Sequence, residues 1–135
     1  MEGRQVLLFV GRLIDIKNLF FLLDAFALVV KRYPKAILLF VGDGDQREAL
    51  ERHAERNGLA NHVIFAGKKQ GEDLYACYNI GQIFVLPSYY ERFGAVVNEA
   101  LLAGCYTLCS VVAGAACLIE PRKNGDLFDP ASKTD

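Results

Sequence analysis

The sequence lacks the residues and motifs that mark several common classes of site. It contains only two histidines, and its four cysteines form no Cys-x-x-Cys pair, so a zinc site is not expected. No apolar run approaches the roughly 20 residues of a membrane-spanning helix, and Met1-Glu-Gly-Arg4 is not followed by an apolar signal-peptide region. The net charge of −1 offers no excess of positive charge for nucleic acid or an anionic membrane.

Three motifs for nucleotide or acyl chemistry are missing as well. No Gly-x-Gly-x-x-Gly follows the first apolar run, which argues against a nicotinamide or flavin site. No Gly-x-x-x-x-Gly-Lys-Ser/Thr occurs, which argues against a P-loop ATPase or kinase. The Gly-x-Ser-x-Gly turn of a hydrolase nucleophile is also absent.

The composition is that of one folded domain. The chain has 135 residues, of which 53% are hydrophobic and 23% charged, and this size allows a substantial core. Since the cysteines lie in or near apolar segments, we expect buried, reduced thiols in a cytoplasmic protein. These cysteines are Cys77, Cys105, Cys109 and Cys117.

Short apolar runs alternate with segments of helical pattern. The predicted strands are 5–10, 36–41, 63–66, 82–86, 106–110 and 126–128, and the predicted helices are 19–32, 45–57, 71–79 and 94–103. This alternation predicts an α/β domain with a doubly wound, Rossmann-like parallel sheet and helices on both faces. Asn18 is a candidate cap for the first helix, and Gly58 is a candidate stop for the second.

Several polar or turn-forming residues follow the ends of predicted strands. Gly11, Gly42, Gly67 and Pro87 each come directly after an apolar run. Because the carboxyl ends of parallel strands meet at one edge of a sheet, and ligands bind there, we expect these positions to border a site.

Cations lie in two of these loops. Arg12 and Lys17 follow the first strand, and Lys68 and Lys69 follow the third. Arginine can clamp two phosphate oxygens and lysine supplies a compact charge, but solvated surface cations would give the same pattern. The turn Gly42–Asp45 lies between them, and its glycines would let a ligand approach the backbone, although a plain turn with Asp45 as helix cap explains it equally.

Two carboxylates flank the start of the fourth predicted helix. Glu91 lies in an aromatic turn, and Glu99 lies eight positions later, inside the helix. The free N–H groups of a helix start attract phosphate, and carboxylates accept hydrogen bonds from sugar hydroxyls. Two solvated surface glutamates would satisfy the same spacing, so the pair alone is weak evidence.

Taken together and in order, these motifs are specific. Between Val6 and Pro130 the chain resembles the donor-binding half of glycosyltransferase family four, the large family of retaining enzymes of GT-B fold. The motifs that carry the resemblance are Gly11-Arg-Leu with Lys17-Asn18, Val41-Gly-Asp-Gly44, Val63-Ile-Phe-Ala-Gly67, Pro87-Ser with Glu91-Arg-Phe-Gly94, Glu99-Ala with Gly104, and Asn124-Gly-Asp-Leu-Phe128.

The resemblance implies a role for each matching residue. Arg12 and Lys17 match the pair that binds the donor diphosphate, and Glu91 matches the glutamate that faces the donor sugar. These three form the implied catalytic set, while Glu99 matches the glutamate that holds ribose hydroxyls. The implied donor-binding residues are Gly11, Gly42, Gly67, Lys68, Phe93, Gly94, Ala95 and Glu99.

The resemblance also implies the activity and partners of a parent enzyme. That enzyme would transfer a hexosyl or related group from a nucleotide-diphosphate sugar with retained configuration, without a metal or cofactor. Residues 1–135 would form its single donor-binding domain, in truncated form and without the N-terminal domain that holds a glycan, lipid-linked or small-molecule acceptor. We therefore expect no transfer by this chain alone, a cytoplasmic location and no nucleic acid partner, and peripheral membrane association of the parent enzyme stays open.

The chain departs from the family pattern in two segments, and two other functions remain alternatives. Cys105–Cys109 replaces the usual Pro-Val-Ile/Val-Ala, and Gly114–Glu120 lacks one loop glycine. One alternative is a non-catalytic module that binds nucleotide sugars or regulates an enzyme. The other is a flavodoxin-like signalling domain, but this needs acidic residues where Gly11-Arg12 and Ala66-Gly67 stand.

Overall fold

The computed structural model describes residues 5–87, 95–110 and 125–128. Its strands form one parallel six-stranded sheet in the order β3-β2-β1-β4-β5-β6. The strands are β1 (Val6–Val10), β2 (Ile37–Val41), β3 (Val63–Gly67), β4 (Ile83–Leu86), β5 (Tyr106–Ser110) and β6 (Gly125–Phe128). The α-helices are α1 (Leu19–Arg32), α2 (Arg47–Arg56), α3 (Gly71–Ile80) and α4 (Ala95–Leu102).

Strands β1 and β2 are apolar along their whole length because both of their faces are covered. Every residue of β1 and of β2 is buried, as expected for parallel strands between layers of helices. Aromatic rings connect these strands to β3. The Phe40 ring lies 6.0 Å from the Phe9 ring and stacks on the Phe65 ring at 5.0 Å between centroids. This core fixes where the strand ends meet.

The predicted fold class and all ten predicted elements are confirmed, with small shifts at their ends. The prediction that the Asn18 side chain caps α1 is wrong. Asn18 occupies the N-cap position, but its backbone is left-handed (φ 60°) and its side chain makes no capping hydrogen bond. The reason is a short 3₁₀ turn, Asp15–Lys17, which ends at Asn18 with a hydrogen bond from the Asn18 N–H to the Asp15 carbonyl.

The boundaries of α2 test two further expectations. Gly58 follows the helix in the left-handed region, at φ +72°, which confirms it as the helix stop. The helix begins later than expected, because Gln46 rather than Asp45 occupies its N-cap.

The cysteine thiols of the described residues contribute to packing. Cys77 and Cys105 are free thiols, as predicted, whereas Cys117 lies outside the described residues. The Cys105 Sγ–H donates to the carbonyls of Tyr78 and Gly81, each at 3.2 Å. Burial raises the pKa of the Cys105 thiol. This thiol therefore stays protonated and joins the start of β5 to the end of α3.

No helix in the described part of the chain combines the length and apolar character that crossing a membrane requires.

Replacing Gly42 by alanine should destabilise the fold far more than replacing Gly58. Gly42 has φ +141°, and an added Cβ would overlap the carbonyl oxygen of Gly11. Gly58 has open space around a built Cβ, so Gly58→Ala should cost only the left-handed strain, about 1–2 kcal/mol. Gly42→Ala adds the overlap and should cost more than about 3 kcal/mol in the free energy of unfolding. Urea denaturation measures both, and equal losses would contradict the close approach of the two loops.

Candidate functional site

A polar cleft opens at the carboxyl ends of β1, β2 and β3. Its volume is about 420 Å³, and three cations and one carboxylate border it. The loop after each of the three strands contributes to its walls. The lining residues are Val10, Gly11, Arg12, Val41, Gly42, Asp43, Lys68 and Lys69. The cleft therefore brings together cations that are 56 or more positions apart in the chain, such as Arg12 and Lys68.

Backbone hydrogen bonds hold the floor of this cleft together. The Gly11 N–H donates to the Val41 carbonyl at 3.0 Å, and the Gly42 N–H donates to the Gly67 carbonyl at 2.9 Å. Since Gly42 packs directly on the Gly11 carbonyl, no side chain fits between these two loops. The three loops therefore meet through their backbones, and a ligand can approach the backbone at these glycines.

The carboxylate at the cleft, Asp43, has partners of its own. Its Oδ1 accepts a hydrogen bond from the Gly44 N–H at 2.8 Å, and its Oδ2 lies 3.3 Å from Nη1 of Arg47. Arg47 also donates to Glu51 at 2.8 Å and to the Phe65 carbonyl at 3.4 Å. Asp43 is therefore engaged with α2, and the charges of Arg12, Lys68 and Lys69 are the ones directed at the cleft.

The structure places the other predicted site residues as follows. Arg12 and Lys68 are exposed at the cleft, and Gly11, Gly42 and Gly67 meet at its floor. Lys17 lies half-buried at the end of the 3₁₀ turn that precedes α1. Ala95 begins α4. Three residues of the predicted site, Glu91, Phe93 and Gly94, lie outside the described residues.

Glu99 lies half-buried on α4 and has a neighbour that sequence analysis missed. The side chain of Tyr78, on α3, lies close enough to Glu99 for this carboxylate to act on the pKa of Tyr78. Burial raises the pKa of Tyr78, and the Glu99 carboxylate raises it further. The two residues are 21 positions apart, so no local pattern signals the pair.

A second cleft, of about 220 Å³, lies between α1 and strands β1, β4, β5 and β6. Its lining is almost entirely aliphatic and aromatic, and Asp126 is the charged residue among those that border it. The Asp126 carboxylate would repel phosphate, and the apolar lining offers phosphate no charged partner. The cation-lined cleft is therefore the candidate for an anionic ligand. Within the described ranges, no group of three or more His, Cys, Asp or Glu side chains could hold a metal ion.

Comparison with known proteins identifies the family. The whole chain, residues 1–135, matches the family described as Glycosyl transferases group 1. The chain belongs to this family. Its parallel sheet with flanking helices is that of glycosyltransferase domains of the GT-B superfamily.

Individual relatives agree with this assignment. The chain is 35% identical over 124 residues to an uncharacterized glycosyltransferase of Methanocaldococcus jannaschii, covering 92% of this chain and 32% of that protein. It is 32% identical to mannosylfructose-phosphate synthase of Agrobacterium fabrum, covering 99% of this chain and 31% of the relative. The chain thus spans about a third of the length of these relatives.

A similar solved structure contains a nucleotide sugar. The crystal structure of HepE from Anabaena in complex with UDP-glucose is 29% identical to this chain, with a TM-score of 0.86. The match covers 97% of this chain and 36% of HepE.

The free energy of unfolding should fall above pH 10, in part because of Tyr78. Its pKa is raised above the ordinary value of 10.0, so the unfolded chain releases this proton first, and stability present below about pH 10 is lost as the pH rises. One such proton gives a slope of about 1.4 kcal/mol per pH unit. Urea denaturation between pH 8 and pH 11 should show a smaller slope for Tyr78→Phe than for the wild type. Tyr75→Phe, an exposed tyrosine on the same helix, should keep the wild-type slope, and an unchanged slope in Tyr78→Phe would contradict the assignment.

Proposed function

We propose that this chain binds a nucleotide-diphosphate sugar, as the donor domain of a retaining glycosyltransferase of family four with the GT-B fold. The observation that carries the proposal is the convergence of Arg12, Lys68 and Lys69 on one cleft at the carboxyl ends of three parallel strands. Ligands of open α/β sheets bind at that edge. The UDP-glucose bound to HepE supports the same class of ligand.

Arg12 and Lys17 are assigned to the diphosphate. Arg12 is exposed at the cleft and would clamp phosphate oxygens through its planar guanidinium. Lys17 would add a second charge from the turn before α1. Positive groups fixed in place stabilise the charge that grows on the leaving diphosphate as the bond to the sugar breaks. In this proposal the protein's cations neutralise the leaving group and no metal is needed, while the Gly67-Lys68 loop borders the base.

The carboxylates are assigned to hydroxyl groups. Glu99 would accept hydrogen bonds from the ribose, and Glu91 would face the donor sugar. Phe93, Gly94 and Ala95 would present backbone N–H groups at the start of α4, where the helix dipole attracts phosphate. Gly11 and Gly42 would let the ligand approach the floor of the cleft.

The rest of the proposal concerns the whole protein. Its acceptor would be a glycan, a lipid-linked sugar or a small molecule, held by a second domain that closes over the donor. The chemistry would take place in the cytoplasm, where the thiols of Cys77 and Cys105 stay reduced.

The two glutamates should differ in their effect on binding. Glu99→Ala should weaken a nucleoside diphosphate and its sugar conjugate alike, by about 1.5–3 kcal/mol, because a hydrogen bond to a charged group is lost. Glu91→Ala should weaken only the sugar conjugate. Isothermal titration with UDP, GDP and ADP identifies the preferred base, and the matching nucleotide sugar completes the comparison.

Glu48→Ala is the matched control for the glutamates, because Glu48 lies on α2 with 88% of its side chain exposed. It should leave all affinities unchanged. Equal losses of both ligands in Glu91→Ala would show that the carboxylates are assigned wrongly. Binding of no nucleotide in the panel would overturn the proposed function.

Arg12→Ala should weaken both ligands in a salt-dependent way. Removing a phosphate contact should cost about 1.5–3 kcal/mol at low ionic strength. The loss should shrink as ionic strength rises toward about 1 M, since the Debye length falls to about 3 Å there. Calorimetric titration across this range measures the effect. The control is Arg52→Ala, which removes an arginine with 73% of its side chain exposed on α2, and an equal loss in that variant would reduce the result to a general charge effect.

A further inference from the structure

Two consecutive lysines border the cation-lined cleft, and they differ in their surroundings. Lys68 is exposed, whereas Lys69 is half-buried. A lysine in this situation buries its apolar stem and keeps its ammonium group at the open side, which here is the cleft. Among the described residues, no carboxylate forms an ion pair with Lys69. The ammonium group of Lys69 is therefore available to a ligand in the cleft.

The position of Lys69 in the sheet decides which part of a ligand it can contact. Lys69 comes two positions after Gly67, the last residue of β3, whereas Arg12 follows β1. Strand β2 separates β1 from β3, and neighbouring strands lie about 4.8 Å apart, so the ends of β1 and β3 are roughly 10 Å apart. Arg12 thus borders the β1 side of the cleft and Lys69 the β3 side.

This separation corresponds to two different parts of a nucleoside diphosphate. The ribose lies between the diphosphate and the base, so a ligand whose diphosphate contacts Arg12 can reach the β3 side of the cleft with its base. The Gly42 N–H donates to the Gly67 carbonyl at 2.9 Å, which keeps the loops after β2 and β3 together there. Lys69 is therefore placed to contact the base rather than the diphosphate.

The carboxylate at the cleft is a weaker candidate for contact with the base. Asp43 already accepts a hydrogen bond from the Gly44 N–H at 2.8 Å and pairs with Arg47 at 3.3 Å. Arg47 also donates to the Phe65 carbonyl on β3 at 3.4 Å, so this pair is part of the protein's own network. The half-buried ammonium group has no such partner, and a ligand can supply one.

We propose that Lys69 is a specificity-determining residue, which selects donors whose base carries a carbonyl oxygen on the edge far from the ribose. The inference rests on the proposed function, because it assigns Lys69 to the same nucleotide site. An ammonium group only donates hydrogen bonds. Uracil O4 and guanine O6 accept, whereas cytosine N4 and adenine N6 are amino groups that donate. An amino group facing Lys69 would leave donors unpaired, which disfavours cytosine and adenine.

Two matched pairs of nucleotides test the proposal by isothermal titration. UDP and CDP differ at position 4 of the pyrimidine, and inosine diphosphate and ADP differ at position 6 of the purine. In each pair the wild type should bind the carbonyl form at least about tenfold more tightly, because a hydrogen bond to a charged group is at stake. Lys69→Met keeps an unbranched side chain without the charge and should reduce each ratio to about threefold or less.

Two further variants complete the comparison. Lys69→Arg retains hydrogen-bond donors and should keep most of the preference for the carbonyl form. Lys35→Met is the control, because Lys35 is an exposed lysine that precedes β2, at the opposite edge of the sheet. It should leave both ratios at their wild-type values. The wild-type ratios require no variant, so they test the choice of base even if Lys69→Met folds poorly.

The outcomes separate this inference from the proposed function. If no nucleoside diphosphate binds, the proposed function itself fails. If nucleotides bind but the two members of each pair bind equally, only the choice of base fails. A wild-type preference that persists in Lys69→Met, or that disappears in Lys68→Met instead, would assign recognition of the base to another group. Equal weakening of both members of a pair by Lys69→Met would place Lys69 on the phosphates and would also overturn the proposal.

Discussion

The close approach of Gly42 to the carbonyl of Gly11 is the constraint on which the candidate site depends. Parallel pairing brings the ends of β1, β2 and β3 to one edge, but neighbouring strands leave room for side chains between their loops. The backbone contact removes that room, and hydrogen bonds from Gly11 to Val41 and from Gly42 to Gly67 lock it. Cations that follow the first and third strands are thereby brought to the same cleft.

The buried strands of this sheet stabilise the fold, whereas the carboxyl ends of the strands carry the candidate site. Strands β1 and β2 are buried throughout, so folding is driven by apolar burial and leaves the edge free to be polar. Positive charges collected there repel one another, which costs stability. Asp43, the one carboxylate that borders the cleft, is paired with Arg47 and with the Gly44 N–H. Asp43 is thus engaged with α2, and the cations of the cleft are available to interact with an anionic ligand.

Local patterns predicted the elements of this fold well, whereas contacts between elements were beyond them. Apolar runs and glycine stops located β1, β2 and the end of α2 because these signals lie within a few residues. The 2.7 Å contact between His53 and Asp24 joins α2 to α1 across 29 positions, and Glu99 on α4 acts on the pKa of Tyr78 on α3 from 21 positions away. Such pairs arise from how helices pack, so no spacing rule reveals them. The capping prediction for Asn18 failed because the preceding 3₁₀ turn, a competing local structure, set its backbone.

The strand order gives the reason why a ligand of this domain should be elongated. The chain moves from β1 outward through β2 to β3 and then returns to the other side of β1 at β4, and crevices form where the order reverses in this way. The cation-lined cleft lies on the β1–β3 side, while Glu99 follows β4 on α4, against Tyr78. A ligand that uses both must carry an anionic part and a hydroxylated part several strand spacings of about 4.8 Å apart. The nucleotide-diphosphate sugar proposed above has both, whereas a simple phosphate would engage the cations alone.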